Sequence, residues 1–152
     1  MARFFRRGIS KVKFLPTVIG TSPTRAEITA GTDLSLSIVE LGGWELSNSP
    51  IPTPNLASRY TSQIPGEDTT PDSTLTLDDD DTSSANRTAL AKGVTGFIVL
   101  MPYGDVPTKR LEVWPVTSTG VNDQWTTGND PARVVVGFAV TAVPVQNGAV
   151  PT

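Results

Sequence analysis

The chain has 152 residues, with 12 Lys and Arg against 15 Asp and Glu for a formal net charge of -3, and it contains neither His nor Cys. One such chain can build no disulfide framework, zinc–thiolate site, Cys nucleophile or imidazole base, which removes Ser-His-Asp hydrolysis and any histidine pH switch. The length suits a single domain able to bury about 70% of its unfolded surface. With 33 Ser and Thr and only 18% charged residues, the composition describes a turn-rich, mainly β protein rather than a helical enzyme.

The first thirteen residues carry Arg3, Arg6, Arg7, Lys11 and Lys13 and no acid, so residues 1–10 read as a basic N-terminal arm. Val12 and Phe14, stopped by Pro16, mark a first strand. Leu34, Leu36 and Ile38 alternate with Ser35, Ser37 and Val39 and predict a half-buried strand ending near Gly42-Gly43. Trp44 and Leu46 resume the alternation and lead into residues 46–66. There Pro50, Pro52 and Pro54 recur at every second position. Proline has no N–H to give a ladder, so this segment is an extended arm or an edge, not a central strand. Ser58 to Ile64 then reads as a strand closed by Pro65-Gly66, and Thr74 to Leu77 as another.

Residues 67–81 hold Glu67, Asp68, Asp72, Asp78, Asp79, Asp80 and Asp81 and no base. They precede one short helix, expected over Ser84 to Lys92, with Ser83 or Ser84 as its cap and Gly93 as its stop. Phe97 to Met101 is apolar on both faces. Leu111 to Val116 is a strand in which Pro115 signals an edge or a bulge. In Arg133 to Val143 one face is Val134, Val136, Phe138, Val140 and Ala142, and the other is Val135, Gly137, Ala139 and Val143. A strand apolar on both faces must be covered on both, and one helix cannot cover a sheet. A β-sandwich whose edges and spare face meet further copies satisfies this. Residues 144–152 read as a C-terminal tail.

Four patterns come near a chemical motif and fall short of it. An EF-hand loop begun at Asp78 would place Ser83 where Gly is needed and Ala89 where Glu is needed. Gly93-Val94-Thr95-Gly96 lacks the Lys-Ser/Thr ending of a phosphate loop. No spacing brings two of Glu27, Glu40, Glu45 and Glu112 together as a glycosidase pair. Asn86-Arg87-Thr88 is a sequon on a helix, with no secretory signal before it. The expectation is a protein that is not an enzyme, with no metal and no cofactor. No run of 18 apolar residues exists to span a membrane, and no signal core follows the basic start, so assembly in the cytoplasm is expected. Trp44 and Trp114 sit in strand patterns and are assigned to the core. Trp125, in the polar stretch Asn122 to Asn129, is the ring expected to be exposed, and a carbohydrate- or surface-binding module is the alternative it suggests.

Several segments taken together resemble a known family. They are Lys11-Val12-Lys13-Phe14-Leu15-Pro16-Thr17, Pro23-Thr24-Arg25-Ala26-Glu27-Ile28 with Ala30-Gly31-Thr32, Gly43-Trp44, Ser58 to Gly66, Asp72 to Thr76, Leu111 to Val116, and Ala132 to Thr141. In order and spacing the chain resembles the major tail proteins, or tail tube proteins, of long-tailed, non-contractile bacteriophages, particularly those of actinobacterial hosts. The likeness runs from about residue 9 to the C-terminus.

The resemblance implies a two-sheet β-sandwich with one flanking helix. Six copies would form a ring around a continuous inner β-barrel, and rings would stack into a virion tube that conducts genomic DNA into the host. The inner tube of a contractile injection machine is the nearest alternative. The implied partners are further copies, a tape-measure protein, tail-tip and terminator proteins, and DNA that passes without specific binding. Contacts between copies are then expected at Arg3, Arg6 and Arg7, at Pro50, Pro52 and Pro54, and at Arg59, Tyr60 and Gln63. Glu27, Glu40, Glu45, Glu112, Asp78, Asp79 and Asp80 become candidates for an acidic lumen that repels phosphate, the inverse of counterion-release binding. The basic arm is expected to meet the acidic segment of a neighbouring copy.

Overall fold

A computed structural model describes residues 1–152. Ten strands and two short helices follow one another along the chain. They are β1 (Lys11–Leu15), α1 (Arg25–Ala30), β2 (Thr32–Asp33), β3 (Ile38–Gly42), β4 (Ser47–Thr53), β5 (Ser62–Thr69), β6 (Ser73–Asp78), α2 (Ala85–Ala89), β7 (Thr95–Met101), β8 (Arg110–Gln124), β9 (Arg133–Val140) and β10 (Val145–Ala149). Eight strands make one sheet in the order β2-β1-β7-β8-β9-β6-β3, with β10 added on β8, while β4 and β5 pair only with each other.

That sheet is folded over itself. Val12 and Phe14 of β1 share one buried cluster with Leu75 and Leu77 of β6 and with Val134, Val136 and Phe138 of β9, although several strands separate β1 from β6 in the hydrogen-bonded order. Only two facing layers bring them together, so the expected sandwich is present. One continuous sheet makes it, through a strand common to both layers. The 15-residue β8 is that strand: Thr95 to Leu100 pair with its first half, and Arg133 to Val140 with the stretch from Val116 to Gln124, across a bulge between Ser118 and Gly120. Within one copy the sheet does not close on itself.

Pro115 lies inside β8, not on an edge of the sheet. On one flank of β8, β10 pairs up to Val113 and β9 takes over at Val116, so Pro115 falls where the partner changes. Its carbonyl accepts from Thr141 N–H, and the donor it lacks faces the same gap. A second cluster, Leu15, Ile28, Val99, Met101, Leu111, Val113 and Val150, lies on the other face of the β1-β7-β8 layer beneath α1 and the chain end. Strand β7 is thus buried on both faces, as its sequence requires.

Several local expectations differ from the fold. Two helices are present instead of one. The additional helix, α1, is held by a capping box in which Thr24 Oγ1 accepts from Glu27 N–H and the Glu27 carboxylate accepts from Thr24 N–H at 2.9 Å. Helix α2 spans only Ala85–Ala89 and has no side-chain cap from Ser84. Leu34 to Ser37 is a turn and not a strand. Asp33 Oδ1 accepts from Ser35 N–H, an arrangement that competes with extended structure, and Leu34 is buried while Leu36 is 98% exposed. Strand β5 begins at Ser62 and runs through Pro65-Gly66 instead of ending there. A bulge between Ser49 and Ile51 absorbs both residues, and a Cβ on Gly66 would sit on the Ser49 carbonyl oxygen. Strand β9 stops at Val140, and residues 145–149 of the expected tail pair with β8.

Candidate assembly surfaces

The half of the sandwich formed by β3, β6, β9 and the second part of β8 has one face on the core and one face open. Burial alternates along β6 and β9: Leu75, Leu77, Val134, Val136 and Phe138 point inward. Thr74, Thr76 and Asp78 of β6, and Arg133, Val135, Gly137 and Ala139 of β9, occupy the opposite face. Register adds Glu40 of β3 beside Thr76, and Thr117, Gly120, Asn122 and Gln124 of β8 beside the outward residues of β9. This face is built of small, mostly uncharged and hydroxyl-rich side chains, with two acids and one base. The two-faced apolar pattern of β9 pointed to it, but Arg133, Thr74, Thr76 and Asn122 carried no signal of their own.

Both edges of this four-stranded layer lack partners. Strand β3 ends the sheet. On the far side, β7 pairs with β8 only as far as Thr117, with Val94 O accepting from Ser118 N–H, and leaves residues 119–124 open on that flank. Unpaired edges of this kind invite another chain.

The structure separates the seven acids proposed for a lumen. Glu40 and Asp78 share the open face. Glu27 is engaged in the α1 cap, and its Oε1 also accepts from Ile19 N–H at 3.0 Å. Glu112 accepts from the Trp114 indole at 3.3 Å. Glu45 is exposed between β3 and β4. Asp79 and Asp80 lie in the loop after β6, where Thr82 donates to Asp80 from both its N–H and its hydroxyl. Those bonds, the hydroxyl's first, hold the Asp80 carboxyl below the usual carboxylate range.

Residues 1–9 are exposed. Phe4 stacks at 5.1 Å on Tyr103, and Ser10 Oγ donates to Pro102 O, which tethers the segment. Arg3, Arg6 and Arg7 form no ion pair within the chain. Arg6, Arg7 and Lys11 rim a cleft of about 470 Å³ whose apolar wall includes Leu36, Ile38, Val39 and Leu41 of the β3 side.

The β4–β5 hairpin stands apart from the sheet. Pro50 and Pro52 lie in β4, Pro54 follows it, and Gln63 pairs with Pro52. Arg59 and Tyr60 occupy the turn, with Tyr60 78% exposed. Ile51 and Ile64 form a cross-strand pair, both half exposed. Trp114 is fully buried and Trp44 packs against it, while Trp125 is 91% exposed in the β8–β9 turn.

Solved structures share this architecture at low sequence identity. A chain of the six-fold symmetrised anti-feeding prophage baseplate is similar over 96% of this chain and 98% of its own, at 8% identity and a TM-score of 0.64. A chain of the PVC extracellular contractile injection system, in its sheath/tube terminator in the extended state, is similar over 95% and 98%, at 14% identity and a TM-score of 0.61. A chain of the tail of an empty gene transfer agent particle, refined with C6 symmetry, is similar over 97% and 100%, at 10% identity and a TM-score of 0.55. Comparison with curated proteins finds no match in sequence. The profile of one family, described as phage tail tube protein, matches residues 1–152. With open sheet edges, an uncovered and mostly uncharged face and a profile match from end to end, the chain belongs to the phage tail tube protein family.

Proposed function

We propose that this protein is the non-catalytic structural subunit of a tail tube, in which six copies close into a ring and stacked rings conduct genomic DNA into the host. The observation that carries this reading is the four-stranded layer with one bare face and two open edges. Strands β3, β6, β9 and β8 alternate in direction, so β3 of one copy can lie antiparallel to the open flank of β8 in the next. Repetition removes every open edge of the layer and turns its bare face into the wall of a bore. The six-fold and C6 symmetry of the related assemblies supports the copy number.

The exposed hairpin, with Pro50, Pro52, Pro54, Arg59, Tyr60 and Gln63, and the basic arm, with Arg3, Arg6 and Arg7, are the parts left to join ring to ring. A tape-measure protein inside the tube, terminator and tip proteins at its ends, and assembly in the host cytoplasm complete the reading. The fold shared with a chain of an extracellular contractile injection system makes the inner tube of such a machine the second reading, and a sheath gene beside this one separates the two. Electron microscopy of the purified protein tests the principal claim. Six-fold rings or tubes are expected, and a monodisperse monomer at high protein concentration would overturn it.

A further inference from the structure

The open face of the β3-β6-β9-β8 layer carries a single base, Arg133, at the start of β9. Its register partner in β6 is Asp78, with Arg133 Nε 3.8 Å from Asp78 Oδ1. Both side chains remain partly open to solvent, at 34% and 49%. Arg133 Nε is shielded and forms no hydrogen bond. The Asp78 carboxylate likewise accepts none from any other group, while its backbone is pinned by the bond from Asp78 N–H to Ser37 O at 2.8 Å. Asp130, in the turn beside Arg133, makes no ion pair with it, and Glu40 lies on the far strand of the layer. The remainder of the face is Thr, Gly, Ala, Val, Asn and Gln. It can donate or accept hydrogen bonds but holds no charge.

We propose that Asp78 masks Arg133 and so keeps the bore from holding DNA, a role that rests on this face lining the tube. Arg binds phosphate through its planar fork of donors. One exposed guanidinium per copy, repeated around each ring and along the stack, would build a ladder of phosphate contacts. Counterion release makes such a ladder cumulative, because each neutralised phosphate steepens the salt dependence by about 0.9. A conduit must avoid this. The neighbouring carboxylate offers Arg133 a fixed counter-charge, and on this reading the bore is non-adhesive because its one cation is compensated, more than because its wall is strongly acidic.

The test uses assembled tubes of the full chain and a short fluorescent DNA duplex, with nuclease protection separating DNA in the bore from DNA held by the basic arms outside. Wild-type and Arg133→Gln tubes are expected to protect DNA only at the background level. Asp78→Asn tubes should protect DNA at about 50 mM salt, at least tenfold above wild type, and should lose it steeply by about 200 mM. Adding Thr76→Asp, which returns a carboxylate to the same face, should abolish protection. Equal protection by Asp78→Asn and wild-type tubes would overturn the proposal. So would failure of both Asp78→Asn and Asp78→Ser to assemble when Arg133→Gln restores their assembly, since the pair would then be a structural contact. If the wild-type chain forms no tube at all, it is the tube reading that fails.

Discussion

Trp114 and Trp44 meet edge-to-face, with 5.7 Å between ring centroids and 80° between planes, and Phe138 lies 5.8 Å from Trp44. The indole N–H of Trp44 is satisfied by Thr74 O at 3.0 Å, so the aromatic group joins both layers without an orphaned donor. Replacing Trp114 with Ala would remove the largest fully buried side chain and is expected to cost roughly 3–5 kcal/mol, read from urea denaturation with an unchanged slope. A loss below about 1 kcal/mol would show that the layers repack freely. Asp33 makes a smaller, pH-dependent contribution. Burial alone would raise its pKa, but the hydrogen bonds from Ser35 and the charges of Lys11 and Lys13 outweigh burial and hold it below the usual carboxylate range. A lowered folded pKa means stability that is present above the unfolded value and lost as pH falls through the folded one. Asp33→Asn should therefore be less stable than wild type near neutrality, with the gap in thermal midpoint narrowing below about pH 4. A gap that stays constant with pH would rule out the charge as its source.

The β4–β5 hairpin depends on its own ladder and on a backbone approach at Gly66 that leaves no room for a side chain. Gly66→Ala should distort this arm while leaving the thermal midpoint of the sandwich nearly unchanged, since no cluster residue lies in β4 or β5. Rings would still close but would stack poorly, as seen by electron microscopy. Long tubes from this variant would show that the hairpin does not join rings. The extended character of residues 47–53 was legible in the sequence because alternating prolines allow little except an extended edge. Strand β6 was legible because its apolar positions recur with period two, and β7 and β9 because each is a short apolar run that needs cover on both faces. The turn at Leu34 to Ser37 was not, because Leu34, Leu36 and Ile38 carry the same alternation, and the bond from Ser35 N–H to Asp33 that breaks it leaves no periodic trace. Helix α1 hid for a related reason: at six residues it is too short to display an apolar stripe, although Thr24 and Glu27 already spelled its capping box. The candidate site was legible only in outline. The spare apolar face of β9 required a covering, but the pairing of Asp78 with Arg133 depends on a register that no spacing in the sequence encodes.

At the scale of the whole molecule, charge and open edges make separate contributions to assembly. The basic arm carries Arg3, Arg6 and Arg7 without internal partners, while the 67–81 segment supplies acids. If the two meet between copies, Arg3, Arg6 and Arg7 changed together to Gln should lower tube yield at low salt and flatten its salt dependence, because screening beyond about 10 Å at 0.1 M already weakens such pairs. Unchanged yield and salt sensitivity by sedimentation would remove that contact. On the proposed arrangement, ring closure depends instead on backbone pairing at the β3 edge. Val39 lies at the β3 bulge between Ile38 and Glu40, has no register partner in β6 and is 42% exposed. A proline there falls where the β3–β6 register is already interrupted, and it removes a donor from the strand with which the next copy would pair on the proposed arrangement. Val39→Pro is therefore expected to melt within a few degrees of wild type and to yield monomers where wild type yields rings. Six-fold rings from the variant would show that copies do not join through β3. A collapse of the melting temperature would show that the bulge belongs to the core, and the edge would then need blocking from its other side, at Asn122 in β8.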